Sequence, residues 1–293
     1  MNGLLDHLIF HIASGQAFFL GSGLILLGLA LSALVKSKAV LVLRDLGVLV
    51  GVIFVTVSAT PLPYWLYGVL GVVTLTWLVL EWIKAKVGKK WLVSFRLAVL
   101  VSWLAAVVLE LPYHVMPSVP ALGRPDLFVI GDSVTAGTGD KKTTWPQLLV
   151  RQQAIIVHDF SQMGATVASA MKQACRLENK DGLILLEIGG NDLLGTTTAA
   201  KFQHGLEELL ASVCRPGRTV VMFELPLVPF TNEFGRQQRI LANQYGVLLV
   251  PKRIFLRVLT TEGATEDGIH LTPAGHQLMA DTVWDVIRPA YGE

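Results

Sequence analysis

Four long apolar runs limit what this chain can fold into more than any other feature. They cover residues 17–35, 41–58, 62–83 and 92–109. A helix crossing the roughly 30 Å hydrocarbon layer of a bilayer needs about 20 apolar residues at 1.5 Å each. Every run is close to that length. One such run fits a buried core helix, but four in succession leave no polar face for water. The runs therefore read as a bundle of four membrane spans. Composition agrees: of 293 residues, 52% are hydrophobic and 16% charged, too apolar for one soluble domain.

Charge divides the chain in two. The first 112 residues hold eight Lys or Arg and four acids; the remainder holds sixteen and eighteen. The overall charge of +2 therefore joins a positive membrane part to a near-neutral second part. That second part has no basic stripe, which argues against nucleic acid as a partner. Lys36, Lys38 and Arg44 lie between the first two runs, and Lys84, Lys86, Lys89, Lys90 and Arg96 between the last two. Residues 59–63 and the segment before the first run carry no Lys or Arg. The positive-inside rule puts both basic loops in the cytoplasm, and the N-terminus and everything after the fourth span outside. Tyr64, Trp65, Tyr67 and Tyr113 are expected in the outer aromatic belt, Trp82 and Trp91 in the inner one.

No ionisable residue falls mid-span. Arg44 and Asp45 sit near the inner end and are expected to snorkel outward. Gly47 and Gly51 form a G-x-x-x-G spacing that permits close helix contact. The first sixteen residues lack the basic start of a cleavable signal, and His7 and His11 read as interfacial polar residues. The bundle thus reads as an anchor, with the lipid bilayer as its partner. Pro112, Pro117, Pro120 and Pro125 then interrupt any helix. This gives a membrane domain over 1–112, a linker over 113–124 and an extracytoplasmic domain over 125–293.

The second part opens on an apolar strand at 127–130, broken by Gly131-Asp132-Ser133. Thr144 with Pro146 signals a helix to about residue 153. Further strands are expected at 155–160, 182–188, 219–225 and 247–250, and helices at 166–178, 199–214, 231–245 and 273–287. Strands alternating with helices predict an α/β fold with a parallel sheet covered on both faces. Cys175 and Cys214 each end a helix ahead of a strand. A disulfide between them and two unpaired thiols are both open readings.

Turns at the carboxyl ends of strands in such a sheet converge on one crevice. Here they are Gly131-Asp132-Ser133, Gln162-Met163-Gly164 and Gly189-Gly190-Asn191-Asp192, joined by Asp267-Gly268-Ile269-His270 before the last helix. Ser133 offers a nucleophile, His270 a base that titrates near working pH, and Asp267 a carboxylate to orient the imidazole. The Ser133 and Gly164 backbone N–H groups and the Asn191 side-chain amide fit an oxyanion hole. Asp132 and Asp192 read as turn-holding residues, Glu187 as a strand-end hydrogen-bonding group, and His158, His204 and His276 as surface helix residues.

GDSVTAG, a glycine after the second strand, GGND and DGIH together resemble the four blocks of the SGNH (GDSL) hydrolase superfamily. The likeness is greatest to the bacterial type-I thioesterase/lysophospholipase and arylesterase branch, where Trp145-Pro146 and the Glu187–Asp192 segment also have counterparts. Asp159 stands where that branch usually has Asn. The resemblance implies a flavodoxin-like five-stranded sheet, no metal and no cofactor. It also implies Ser133 as nucleophile, Asp267 and His270 as its partners, and Gly164 and Asn191 in the oxyanion hole. The expected activity is a membrane-anchored serine esterase. The apolar segment Leu225, Pro226, Leu227, Phe230 is expected to line the site for a lipid, lysophospholipid or other lipophilic acyl ester. An O-acetyl esterase or acyltransferase acting on an envelope glycan is the alternative.

Overall fold

The computed structural model describes residues 3–35, 37–83, 88–139 and 143–292. Lys36, Lys84 and Lys86, counted above in the basic loops, lie outside the described residues. The chain forms two compact units: Met1–His114 with Val228–Asn232, and Val115–Leu227 with Glu233–Glu293.

The first unit is helical: α1 Gly3–Ala13, α2 Gln16–Leu34, α3 Lys38–Val57, α4 Tyr64–Trp82 and α5 Lys89–Glu110. Four helices, α2 to α5, are long and apolar enough to cross a membrane by length and composition. Their outward faces carry Leu20, Leu27, Leu46, Val72 and Leu97 in the open. The inward faces bury Phe18, Ile25, Val48, Trp77, Val99 and Trp103 in one cluster.

The contact of α2 with α3 is nearly backbone on backbone. A Cβ at Gly51 would lie 2.7 Å from the Gly21 carbonyl oxygen, and one at Gly28 would lie 2.6 Å from the Val48 side chain. Gly51 is thus used as expected, but its partners are Gly21, Leu24 and Ile25 of α2. Gly47 faces open space.

Arg44 does not snorkel. It is only 4% exposed and is held by groups from neighbouring helices. Its Nη1 donates to Ser32 Oγ at 3.0 Å and its Nε to Asp45 Oδ1 at 2.8 Å. Glu81 is buried on α4, 3.9 Å from Arg44 Nη1 and 2.6 Å from Arg96 Nη2. Arg96 Nη2 also donates to the Ser32 carbonyl at 2.9 Å. All four long helices contribute, which turns isolated charges into a paired polar lock. Arg44 turns inward because Ser32 and Glu81, in register on adjacent helices, supply acceptors that a one-helix reading cannot see.

The second unit holds a five-stranded, all-parallel sheet in the order β2-β1-β3-β4-β5. The strands are β1 Leu127–Gly131, β2 Val157–Asp159, β3 Gly182–Glu187, β4 Arg218–Phe223 and β5 Leu248–Val250. This 2-1-3-4-5 order is the flavodoxin-like one, with its switch point between β1 and β3. Leu127, Val129, Leu183, Leu185, Val221 and Phe223 pack with Trp145 and Leu149 of α7 (Trp145–Gln153), Phe255 and Val258 of α12 (Lys252–Thr260), and Met279 and Val283 of α13 (Pro273–Ile287). Side chains alternate along a strand, so Phe128, Ile130, Ile184 and Leu186 face the other way. There α8 Val167–Ala174 and α10 Ala199–Val213 present their buried stripes.

Several elements differ from expectation. The helix expected at 166–178 ends at Ala174 and continues as a 3-10 turn, Cys175–Leu177. Helix α12 was not expected from the sequence; its buried Phe255, Leu256 and Val258 share nine residues with Lys252, Arg253 and Arg257. Two one-turn helices, α6 Ser133–Ala136 and α9 Gly190–Leu194, replace plain turns. α11 runs Asn232–Tyr245. Within the linker expected over 113–124, Val119 is buried in the sheet core and Leu122 N–H donates to the Ala290 carbonyl at 2.8 Å. Cys175 and Cys214 are free thiols, one exposed and one half-buried. Burial pushes the Cys214 thiol up to about 11.

The glycine contact yields a test. Gly51→Val should destabilise the full chain by about 1–3 kcal/mol through overpacking. Gly47→Val should stay within about 0.5 kcal/mol. Thermal unfolding in detergent separates the two.

Candidate active site

The chain leaves β1 through a turn with no spare room. A Cβ at Gly131 would lie 2.6 Å from Thr135 Oγ1, so only glycine fits. The Gln173 side chain clamps that peptide, accepting from Gly131 N–H and donating to the Gly131 carbonyl, each at 3.0 Å. Sequence reading missed Gln173; its one signal is an amide on the buried stripe of α8. Asp132 caps α6, its Oδ1 accepting from Val134 N–H at 3.0 Å. Ser133 follows at the first position of the helical turn, 6% exposed.

His270 comes from the loop between α12 and α13. That loop is pinned by a bridge between Thr265 and Leu271 and by Glu266 N–H donating to the His270 carbonyl at 2.8 Å. Gly268, at φ 91°, makes the tight turn. Asp267 wraps around it. Its Oδ1 accepts from the backbone N–H groups of Ile269 and His270 at 3.0 and 2.9 Å, and its Oδ2 lies 2.7 Å from His270 Nδ1. The His270 backbone N–H, then the imidazole, then the Ile269 N–H hold the Asp267 carboxyl far below the usual carboxylate range. With Nδ1 engaged, Nε2 is left to face a reactant. Among the described residues no hydrogen bond joins His270 Nε2 to Ser133 Oγ. In ligand-free sites this contact is often long and tightens only with substrate.

Asn191 rides on α9, which starts after Gly189 at φ 113°. Its Nδ2 donates to the Ala165 carbonyl at 3.0 Å and to Asp132 Oδ2 at 3.3 Å. Asp192, next to it, is buried and accepts from Val167 N–H at 2.8 Å, tying α9 to the start of α8; burial raises its carboxyl. Gly164 has φ 71° in a turn closed by Ala165 N–H donating to the Gln162 carbonyl at 3.2 Å. Asp159 braces the approach, accepting from Ser161 N–H and Oγ at 2.9 and 2.6 Å. Among the described residues, no hydrogen bond takes up the backbone N–H of Ser133 or Gly164.

Behind Ser133 lie two buried carboxyls. Glu187 sits opposite Gly131 in the β1–β3 register and accepts from Thr135 Oγ1 at 2.8 Å. Burial, then the neighbouring Asp132 charge, pushes Glu187 well above the usual range. Burial lifts Asp132 to about 6, opposed by its bonds to Val134 and Glu187.

Other expected positions need correction. His276 is not a surface residue: it is 4% exposed on α13 and its Nδ1 accepts from Trp145 N–H at 3.4 Å. Burial lowers its pKa. His158 is not on a helix; it lies on β2, stacked on Phe128 at 4.6 Å and paired with Asp126 at 2.8 Å. Of the apolar loop, Leu225 and Leu227 are buried at 4% and 1%. The segment after β4 carries them into the core, where Leu225 abuts Gly189 and its N–H donates to Gln238 Oε1 at 2.9 Å. Pro226 is half-buried, and Phe230, 70% exposed, belongs with Val228–Asn232 to the first unit. Among the described residues no group of three His, Cys, Asp or Glu is placed to hold a metal ion.

Comparison with known proteins points one way. Residues 129–278 match the GDSL-like Lipase/Acylhydrolase family. The chain is 29% identical over 178 residues to Esterase TesA of Pseudomonas aeruginosa, covering 56% of this chain and 88% of that protein. It is 25% identical over 170 residues to an arylesterase of Vibrio mimicus, covering 54% and 85%. The crystal structure of TesA superposes with a TM-score of 0.51 at 28% identity, covering 56% of this chain and 99% of that one. The esterase EstA from Pseudoalteromonas sp. superposes with the same score of 0.51 at 18% identity, covering 58% and 100%, and shares the fold.

The buried carboxyl pair has a thermodynamic signature. A group whose folded pKa is raised stabilises fully below its unfolded value and loses that stabilisation as pH rises towards the folded value. Between roughly pH 4.5 and its raised folded value, Glu187 should therefore cost the folded chain about 1.4 kcal/mol per pH unit. Glu187→Gln removes that slope. The variant should match the parent near pH 4 and gain on it towards pH 8, as read from paired thermal unfolding curves.

Proposed function

The chain belongs to the GDSL-like Lipase/Acylhydrolase family, and on that basis we propose that Ser133, His270 and Asp267 hydrolyse an acyl ester through an acyl-enzyme. The observation that carries the reading is the 2.7 Å Asp267–His270 pair, in a loop that sequence and topology bring to the strand edge bearing Ser133. His270 Nε2 takes the proton of Ser133 Oγ as that oxygen adds to the ester carbonyl. The Ser133 and Gly164 N–H groups and Asn191 Nδ2 stabilise the oxyanion. The tetrahedral centre collapses, the ester C–O bond breaks, and His270 returns the proton to the leaving alcohol. Water, deprotonated by the same imidazole, then releases the acid and restores Ser133. Asp267 holds the Nδ1–H tautomer and offsets the imidazolium charge.

The substrate in this reading is lipophilic. Four helices of membrane-crossing length favour an ester of lipid type over an envelope glycan. The anchor is a bacterial inner membrane. Lys38, Lys89, Lys90 and Arg96, with Lys36, Lys84 and Lys86, mark the cytoplasmic side, which leaves the second unit outside. Residues 1–112 serve as the membrane domain and 125–293 as the hydrolase.

Ser133→Ala should lower ester hydrolysis by at least about 10³-fold while leaving the unfolding curve unchanged. A fluorophosphonate should label the parent and not this variant. An active, labelled Ser133→Ala enzyme ends the serine mechanism. A reporter fused after Gly123 should behave as exported; cytoplasmic behaviour would invert the orientation.

A further inference from the structure

A carboxamide has two ends of nearly equal shape and opposite hydrogen-bonding sense. For Asn191 to stabilise an oxyanion its nitrogen must face the substrate, so something must forbid the flipped amide. Two acceptors do: the Ala165 carbonyl and Asp132 Oδ2. A flip would set the amide oxygen against both. Asp132 itself has one oxygen fixed on Val134 N–H and the other, Oδ2, on Asn191, and its carboxyl is also hydrogen-bonded by the Glu187 side chain. Glu187 is fixed in turn by Thr135, one helical step beyond the nucleophile.

We propose that Glu187 is a positioning residue: held by Thr135, it donates to Asp132 and so keeps Asp132 Oδ2 as the acceptor that orients the Asn191 amide towards the oxyanion. The inference rests on the serine reading of the site. The proton needed for that donation sits on Glu187, because two touching buried carboxyls do not both ionise. Asp132 accepts from Val134 N–H and Asn191 Nδ2, donors that favour its charged form, while Glu187 accepts from the neutral Thr135 hydroxyl and is pushed well above its ordinary range by burial. The charged groups facing Asp132 are Glu187 from β3, Asp192 from α9 and His270 from the loop before α13. When the oxyanion forms, it takes over the Nδ2 proton now given to the Ala165 carbonyl, and the Asp132 bond keeps the amide aligned.

The test uses the full chain in detergent, with p-nitrophenyl butyrate as substrate. Glu187→Leu, close in volume and apolar, should lower kcat by about 10–100-fold and change KM by less than about threefold. Added to Asn191→Ala it should cost less than about threefold more, since both act through one amide. Glu187→Gln keeps a donor for Asp132 and an acceptor for Thr135, and should recover most of the loss. Without that donor the Asp132 carboxyl protonates more readily, so the acid limb of kcat should move to higher pH in Glu187→Leu and stay put in Glu187→Gln. Multiplicative losses in the double variant, a loss confined to KM, or a glutamine variant as slow as the leucine one would each overturn the proposal. If Glu187→Leu does not unfold cooperatively, Thr135→Val enters the same cycle under the same criteria. Fluorophosphonate labelling at Ser133 separates the two failures. If Ser133→Ala stays active, the serine mechanism falls; if Ser133 labels normally and the cycle is multiplicative, only the role of Glu187 falls.

Discussion

The narrow exit from β1 is the constraint on which the second unit depends. At Gly131 there is space for a backbone and nothing more. The strand must therefore turn at once, and Asp132, Ser133 and Thr135 are delivered in one helical step over the switch point of the sheet. Gln173 from one side and Glu187 from the other hold that step still. Rigid backbone is what the serine chemistry proposed for this turn requires. The more exposed His270 loop is held by its own turn, through Asp267 and the Thr265–Leu271 bridge.

The two units solve opposite solvation problems with related means. In the sheet, strands buried on both faces satisfy their polar backbone by pairing, and the few interior charges collect at the strand ends. In the helical unit the backbone is satisfied within each helix, so the burden falls on side chains. Arg44, Glu81 and Arg96 meet it by pairing across helices. Breaking one member of such a set leaves an uncompensated charge, which costs more than the pair contributes.

What was legible in the sequence is what depends on neighbours along the chain. The apolar runs, the strand at 127–130, the turn glycines and the Asp267–His270 spacing all announce themselves within a few residues. The closing helix fell within its expected bounds, Pro273–Ile287, because Thr272 and Pro273 mark its start locally. What was not legible depends on partners far away. Arg44 turns inward because Ser32 and Glu81 wait on other helices. His276 is buried because α7 crosses it, and Leu225 points inward beside Gly189, where a side chain would crowd it. Helix α12 was hidden because its five apolar residues share nine positions with three cations, in a stretch too short to announce a helix by periodicity alone.

The sheet has one more property with a practical outcome. Its outermost strands, β2 and β5, are three residues long each. Unpaired N–H and C=O groups along a sheet edge are what neighbouring chains use to join one another. Copies gathered on a lipid surface collide far more often than copies free in solution. With so little open edge on either side, the sheet offers a neighbouring copy only short stretches of backbone to pair with.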